Sequence, residues 1–257
     1  MNRIRYFDHA ATTPVQEDVI KEMLPYFGLD FGNASSGYSI GRISRNAVEE
    51  ARRKVAKVIG ASSNEIYFTS CGSESDNLAI KGVAYAGNKK HIITTKIEHP
   101  AVLNTCHAIE KQGYRVTYLG VDENGCISLE ELNNAICDDT VLISVMFANN
   151  EIGTIEPIKE IGEIAKQNGV LLHTDAVQAV GNLKIDVNEL GIDLLSMSAH
   201  KFYGPKGVGA LYVRNGVEFE RIQDGGHQEK NKRAGTENVA GIVGLRKSSR
   251  ACKQRTC

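Results

Sequence analysis

One short segment of the chain carries the residue types that a covalent cofactor site needs. Ser198, His200 and Lys201 follow an apolar run, and a glycine-rich stretch from Gly204 to Gly209 comes directly after them. A lysine amine can form a Schiff base with an aldehyde such as pyridoxal 5'-phosphate (PLP), while neighbouring hydroxyl and imidazole groups hold the phosphate. For this segment alone, a surface lysine before a turn is an equal alternative. The rest of the chain has to decide between the two.

Polar residues also follow other predicted strands. In parallel α/β sheets, ligands collect at the carboxyl ends of strands, so residues that follow different strands can share one cleft. The polar residues in such positions are Ser70 to Ser73, His99, Asn150, Asp175 and Lys201. We therefore expect a single site at one edge of a sheet.

Several of these residues suit particular parts of a PLP site. Gly72 and Ser73 open a predicted helix, whose N–H groups and dipole favour a phosphate, although a plain helix cap is the alternative. Asp175 follows a buried-looking strand and is costly to bury unless it faces a cation such as a protonated pyridine nitrogen. Gln178 can reach the ring hydroxyl, although a solvent-facing glutamine is commoner. His99 can stack on the ring and transfer protons, which most isolated histidines do not do.

The elements that would position these residues alternate between strands and helices. Short apolar runs alternate with segments of helical apolar spacing, which favours a mainly parallel sheet covered by helices. The predicted strands are residues 66–68, 91–95, 116–119, 141–145, 170–174, 194–198 and 208–213. The predicted helices are residues 44–59, 76–84, 100–111, 129–136 and 157–167. A tight turn joins the last two strands, so we expect that they pair antiparallel.

Composition narrows the functional class. A net charge of −1 over 257 residues argues against nucleic acid and against a polybasic membrane surface as partners. Residues 1–8 lack the apolar core of a signal peptide and no apolar run reaches membrane-spanning length, which predicts a cytoplasmic protein. The cysteines show no CxxC pair or zinc spacing, so we expect reduced thiols and no metal. They are Cys71, Cys106, Cys126, Cys137, Cys252 and Cys257.

Six motifs occur in the order of a known family. They are YFDHAATTP (residues 6–14), ESDN (74–77), EH (98–99), NNEIG (149–153), HTDAVQ (173–178) and SAHK (198–201). With them the chain resembles, from about Tyr6 to Leu245, the cysteine desulfurases of the NifS/IscS type within the class V aminotransferase group. The resemblance implies an α/β fold, the large domain of PLP-dependent transferase fold type I, with a mainly parallel mixed sheet flanked by helices. It also implies that a carboxy-terminal small domain is missing.

The resemblance further implies a role for each candidate residue. Lys201 would bind PLP covalently, Asp175 would face the pyridine nitrogen and Gln178 would contact the ring hydroxyl. His99 would stack on the ring as an acid and base, so that Lys201 and His99 are the catalytic residues. The residues that would hold the phosphate are Gly72, Ser73, Ser198 and His200.

Three further positions bear on the site through the same resemblance. Asn150 would lie beside the ring and the substrate. Thr236 would reach the phosphate of a neighbouring subunit, which implies a homodimer. Cys71 stands where relatives usually have glycine, and this departure weakens the assignment of the phosphate loop.

The implied reaction converts L-cysteine to L-alanine and passes sulfur to an enzyme cysteine as a persulfide, for iron-sulfur cluster assembly. The implied partners are L-cysteine and a scaffold or other sulfur acceptor. None of the six cysteines occupies the position that the family uses, so we expect impaired desulfuration. Selenocysteine lyase or another class V enzyme is an alternative, and a non-catalytic PLP-binding fragment is another.

We divide the chain into an N-terminal arm (1–14), a PLP-binding large domain (15–245) and an aberrant basic tail (246–257). The tail lacks helical apolar spacing where relatives continue into a helix. Codons can be chosen for the tail that, when translated one base later, encode the sequence of an amphipathic helix. This observation leads to the hypothesis of a frameshift. The alternative is a natural basic tail.

Overall fold

The computed structural model describes residues 5–253, and the side chains of residues 5–249. Its α-helices are α1 Glu17–Met23, α2 Ser39–Val58, α3 Gly72–Ala86, α4 Pro100–Glu110, α5 Leu129–Ala135, α6 Ile158–Gln167 and α7 Val239–Lys253. Its strands are β1 Ile66–Thr69, β2 His91–Thr95, β3 Arg115–Leu119, β4 Thr140–Ser144, β5 Leu171–Asp175, β6 Leu194–Ser198 and β7 Gly209–Val213. Short 3₁₀ turns occupy Leu24–Phe27, Ser63–Glu65, Ala199–Lys201 and Glu229–Asn231.

The strands form one seven-stranded sheet in the order β1-β7-β6-β5-β4-β2-β3. The pairs from β6 to β3 are parallel, whereas β7 pairs antiparallel with both β1 and β6. The predicted mainly parallel sheet is confirmed, and so is the antiparallel pair of β6 and β7. Because β1 and β6 are both antiparallel to β7, they run in the same direction. The carboxyl ends of six strands therefore lie at one edge of the sheet.

Both faces of the sheet are covered, as the helical connections between parallel strands require. Every residue of β2, β6 and β7 is buried. One apolar cluster includes residues of α2, α6 and α7, and a second lies between the opposite face of the sheet and helices α3 and α4. This double burial explains why the strands appear in the sequence as continuous apolar runs.

Helix α7 extends beyond the boundary predicted at Leu245. It continues through Lys253. Polar contacts hold the side chains of the first turn after Leu245. Arg246 pairs with Glu22 and lies 3.2 Å from a Glu50 carboxylate oxygen. The buried Ser248 hydroxyl donates to the Leu245 carbonyl at 3.0 Å. Helical structure is thus compatible with this polar segment, while the domain boundary at residue 245 and the frameshift stay predictions.

Two simple features of the described residues bear on function classes. No helix within residues 5–253 is long and apolar enough to span a membrane. Within the described side chains, no three His, Cys, Asp or Glu residues are grouped so as to hold a metal ion. The thiols of Cys71, Cys106, Cys126 and Cys137 are free, and the side chains of Cys252 and Cys257 lie outside the described residues.

Candidate active site

A cavity of about 470 Å³ lies at the carboxyl edge of the sheet. Its wall contains nine of the ten residues that the sequence predicts for the site: Gly72, Ser73, His99, Asn150, Asp175, Gln178, Ser198, His200 and Lys201. They come together because β1, β2, β4, β5 and β6 all end at this edge. The tenth residue, Thr236, lines a separate cavity of about 70 Å³ with Ser70 and Arg233. Its contact with a neighbouring subunit stays a prediction.

Lys201 is held at the cavity by the N-terminal segment of the chain. Its Nζ donates to the carbonyls of Ala10 and of Ala11, the latter at 3.0 Å. Partial burial lowers the pKa of the Lys201 amine, and the nearby Asp175 carboxylate opposes this effect. A lowered pKa increases the fraction of neutral amine, which is the form that attacks an aldehyde.

The segment around residues 8–13 is therefore part of the site. The Gln178 amide donates to the same Ala10 carbonyl at 3.0 Å. The Thr13 hydroxyl donates to the His200 carbonyl at 2.8 Å, and the His200 ring contacts the Thr12 hydroxyl at 3.1 Å. The two contacts of His200 join positions that are 187 and 188 residues apart in the chain. They fix the short turn that carries Lys201.

Asp175 ends β5 and is buried, with 7% of its surface exposed. One of its carboxylate oxygens accepts a hydrogen bond from the Val177 N–H at 2.9 Å. Burial raises the pKa of Asp175, and the Val177 N–H, His99 and Lys201 act in the opposite direction. A protonated ring nitrogen placed at this carboxylate would supply the cation that a buried aspartate lacks.

The first turn of α3 forms a cradle for an anion. Cys71 is its N-cap residue and makes no side-chain capping hydrogen bond, which leaves the first N–H groups of a 15-residue helix for a ligand. A Cβ at Gly72 would lie 2.7 Å from the Val177 side chain and 3.5 Å from Ser198 Cβ. Only glycine therefore lets the start of α3 pack this closely against these two residues of the cavity wall. The Ser73, Ser198 and His200 side chains also line this region.

His99 is positioned as the N-cap of α4. Its Nδ1 accepts a hydrogen bond from the Ala101 N–H at 3.1 Å, so Nε2 is the nitrogen left for the cavity. The adjacent Glu98 is buried and accepts hydrogen bonds from the Thr95 hydroxyl at 2.9 Å and the Met146 N–H at 2.8 Å. Burial raises the pKa of Glu98 to about 8. Glu98 thus ties the His99 turn to the loop that carries Asn150.

Some residues of the cavity wall have no role in the sequence-based prediction. They are Asp8, Ala10, Ala11, Asp76, Met146, Ala148, Glu151 and Val177. Residues 8–11 and Asp76 lie inside the family-like motifs. Membership of a motif was the only feature of the sequence that could have indicated that they belong to the site. Their distance along the chain from Lys201 gives no indication that they share its cavity.

The described residues fit PLP. An amine and a buried carboxylate face one cavity, and an uncapped helix N-terminus with hydroxyl and imidazole groups lines the same wall. Such a fold and site define the class of α/β enzymes that bind a phosphate-bearing aldehyde through a lysine.

Comparison with known proteins gives the family. Residues 5–256 match the model of the aminotransferase class-V family. Cysteine desulfurase IscS of Clostridium botulinum (strain Hall) is 60% identical over 250 residues, which cover 96% of this chain and 63% of the relative. Cysteine desulfurase IscS of Methanosarcina thermophila is also 60% identical, with 96% and 62% covered. The chain belongs to the aminotransferase class-V family, whose cofactor is PLP.

Solved structures agree with this assignment. A NifS-like protein superposes with a TM-score of 0.95 at 44% identity, over 97% of this chain and 70% of the other. SspA in complex with cysteine superposes with a TM-score of 0.94 at 44% identity, over 96% and 72%. The fold is therefore that of the NifS-like, PLP-dependent fold type I enzymes. The chain spans less than two thirds of the length of the two IscS relatives.

Proposed function

We propose that this chain forms the PLP site of a cysteine desulfurase, in which Lys201 binds the cofactor and Asp175 faces its ring nitrogen. The observation that carries the proposal is the shared cavity of Lys201 and the buried Asp175, beside the uncapped N-terminus of α3. When bound, PLP supplies an electron sink for chemistry at the α-carbon of an amino acid.

Different residues of the chain would contact different parts of that cofactor. Asp175 would hold the ring nitrogen in its charged form, and the α3 N-terminus with Ser73 would bind the phosphate. His99 would face the ring and move a proton through Nε2, since its Nδ1 already accepts from the backbone. Gln178 and Asn150 would contact the ring and the substrate.

L-cysteine is the substrate that the relatives favour. The curated relatives are named cysteine desulfurases, and a solved structure at 44% identity holds cysteine. Selenocysteine lyase would share Lys201 and Asp175, but no observation favours it. The reaction would yield L-alanine and a persulfide for a sulfur acceptor, such as an iron-sulfur scaffold, in the cytoplasm.

We also propose a homodimer as the functional form. Large apolar side chains are exposed between residues 24 and 43, including Leu29 at 87%, Phe31 at 68% and Phe27 at 67%. A patch of this kind marks a surface that another chain covers. Thr236 lies outside the main cavity, in agreement with a role toward a second subunit.

The cofactor assignment is tested by the visible spectrum and by chemical trapping. Purified protein with PLP should absorb near the violet edge, and borohydride should fix the cofactor to the peptide that contains Lys201. Lys201→Ala should lose both signals. Lys206→Ala is the matched control, because Lys206 is exposed in the turn that follows and should leave both signals intact. A colourless wild-type protein, or trapping at another lysine, would reject the assignment.

The reaction and the assembly need separate measurements. Sulfide release from L-cysteine, compared with selenide release from L-selenocysteine, tests the substrate, and the weak turnover expected from the sequence stays a prediction. Strong sulfide release would show that expectation to be wrong. Light scattering of the purified chain tests the dimer, and a monomer at micromolar concentration would contradict it.

A further inference from the structure

Asp76 belongs to a motif of the sequence that has no role in the proposed function. It lies on α3, only 1% exposed, and its side chain lines the same cavity as Asp175 and Lys201. Its Oδ1 is buried and makes no hydrogen bond within the described residues. A buried carboxylate oxygen that accepts no hydrogen bond is costly when the group is charged, so this oxygen needs an explanation.

The groups that face Asp76 do not supply a positive charge. They are the carboxyls of Asp175 and Glu98, the Cys71 thiol, the Ser196 hydroxyl and the His173 ring. The His173 Nε2 lies 3.7 Å from Asp76 Oδ1, which is too long for a hydrogen bond.

His173 itself is engaged elsewhere and neutral. Its Nδ1 contacts the Ser144 hydroxyl at 2.8 Å and its Nε2 contacts the Ser196 hydroxyl at 3.0 Å. Complete burial lowers the pKa of His173 to about 3. The ring therefore cannot balance a negative charge on Asp76 at neutral pH.

Asp175 lies in a different environment although it lines the same cavity. It accepts the Val177 N–H at 2.9 Å, and both His99 and Lys201 favour its ionised form. Burial and the neighbouring Asp175 carboxylate raise the pKa of Asp76 well above its usual value. When two carboxyls share a dry wall, the one with hydrogen-bond donors and cations ionises first.

We propose that the Asp76 carboxyl keeps a proton at the wall of the cavity and acts only through Asp175, so that Asp175 alone carries the negative charge of the pair. The inference deepens the proposed function, since a single charge at Asp175 is what a protonated ring nitrogen needs. A second carboxylate at this wall would repel Asp175 and weaken its preference for the ionised form.

The test compares the pH dependence of unfolding for wild type and Asp76→Asn. In the unfolded chain an aspartate ionises near pH 4. If folded Asp76 keeps its proton, unfolding releases that proton, and this group by itself raises the wild-type unfolding constant about tenfold per pH unit above pH 4. Asparagine lacks this proton. The ratio of wild-type to variant unfolding constants should therefore grow about 100-fold from pH 5 to pH 7.

A purely structural role would shift stability by the same amount at every pH. A ratio that changes less than threefold between pH 5 and pH 7 would overturn the proposal. Asp138→Asn, which removes an exposed carboxyl, is the matched control and should give a flat ratio. If Asp76→Asn fails to fold, Asp76→Ala lacks the same proton and should show the same growth.

A cofactor titration then connects the proton to the site. Asp76→Asn should keep the PLP dissociation constant within about threefold of wild type, whereas Asp175→Asn should raise it more than tenfold. Equal losses in both variants would overturn the assignment of the charge to Asp175. Failure of wild type to bind PLP would reject the proposed function, while the unfolding experiment would still decide the protonation of Asp76.

Discussion

The buried ion pair between Arg52 and Glu229 should be the most sensitive point of the fold outside the cavity. Arg52 on α2 donates to both carboxylate oxygens of Glu229, at 2.7 and 2.8 Å, and only 5% and 3% of the two side chains are exposed. Glu229 also accepts the Phe68 N–H at 2.8 Å. The pair thus joins α2, β1 and the turn at residues 229–231.

That turn depends on the pair for its conformation. Glu229, Lys230 and Asn231 all have positive φ values, of 45°, 58° and 66°. Non-glycine residues in this region are strained and persist only when the surroundings fix them. The following loop carries Arg233, whose guanidinium bonds Glu74 in the first turn of α3 at 2.7 Å. The pair therefore supports the loop that contains Thr236.

We expect Glu229→Gln to lower the free energy of unfolding by about 3–5 kcal/mol, the usual cost of leaving one buried charge uncompensated. Glutamine keeps the shape of the side chain but offers one acceptor oxygen where the carboxylate satisfies three donors. Denaturant unfolding measures the change, as a shift of the midpoint at an unchanged slope.

Two variants show whether the lost pair is the cause. Glu49→Gln removes the other carboxylate near Arg52, which lies 3.1 Å away and is 48% exposed, and should cost less than about 1 kcal/mol. Arg52→Met combined with Glu229→Gln should cost at least about 1.5 kcal/mol less than the sum of the single variants. A cost below about 1 kcal/mol for Glu229→Gln would refute the reasoning.

Two further substitutions test the cavity. Gly72→Ala places a Cβ 2.7 Å from the Val177 side chain, and overpacking of this kind costs about 1–3 kcal/mol. Because the start of α3 must shift to relieve the contact, PLP binding should weaken about tenfold or more, as measured by a fluorescence titration. Unchanged affinity would show that the cradle does not hold the phosphate. Burial raises the pKa of folded Glu98 to about 8, so folded wild type keeps a proton that the unfolded chain releases above about pH 5. Wild type therefore loses stability as the pH rises from about 5 to about 8. Glu98→Gln lacks this proton and should become more stable relative to wild type over the same range. Melting temperatures at pH 6 and pH 9 measure this, and an equal difference at both pH values would contradict it.

Local patterns were sufficient for most elements of the fold. All seven strands match the apolar runs to within one residue at each end, because strands buried on both faces of a sheet leave a continuous apolar signal. Helix α3 begins four residues before its predicted start and ends two residues after its predicted end. Helix α1 escaped prediction because it has seven residues and buries only Val19. Helix α7 was also missed, and its part beyond Leu245 depends on ion pairs with α1 and α2 that no local pattern contains.

The amino-acid sequence by itself determined the elements, their mainly parallel arrangement and nine residues of one cavity, because strand ends and helix starts place polar groups at one edge. Only the tertiary structure decided that residues 8–13 hold Lys201, that Asp76 lies near Asp175 with a buried oxygen that accepts no hydrogen bond, and that Thr236 lies outside the cavity. These facts depend on contacts between distant parts of the chain and on the burial of charge. Both arise when the chain packs, and neither is encoded in the spacing of nearby residues.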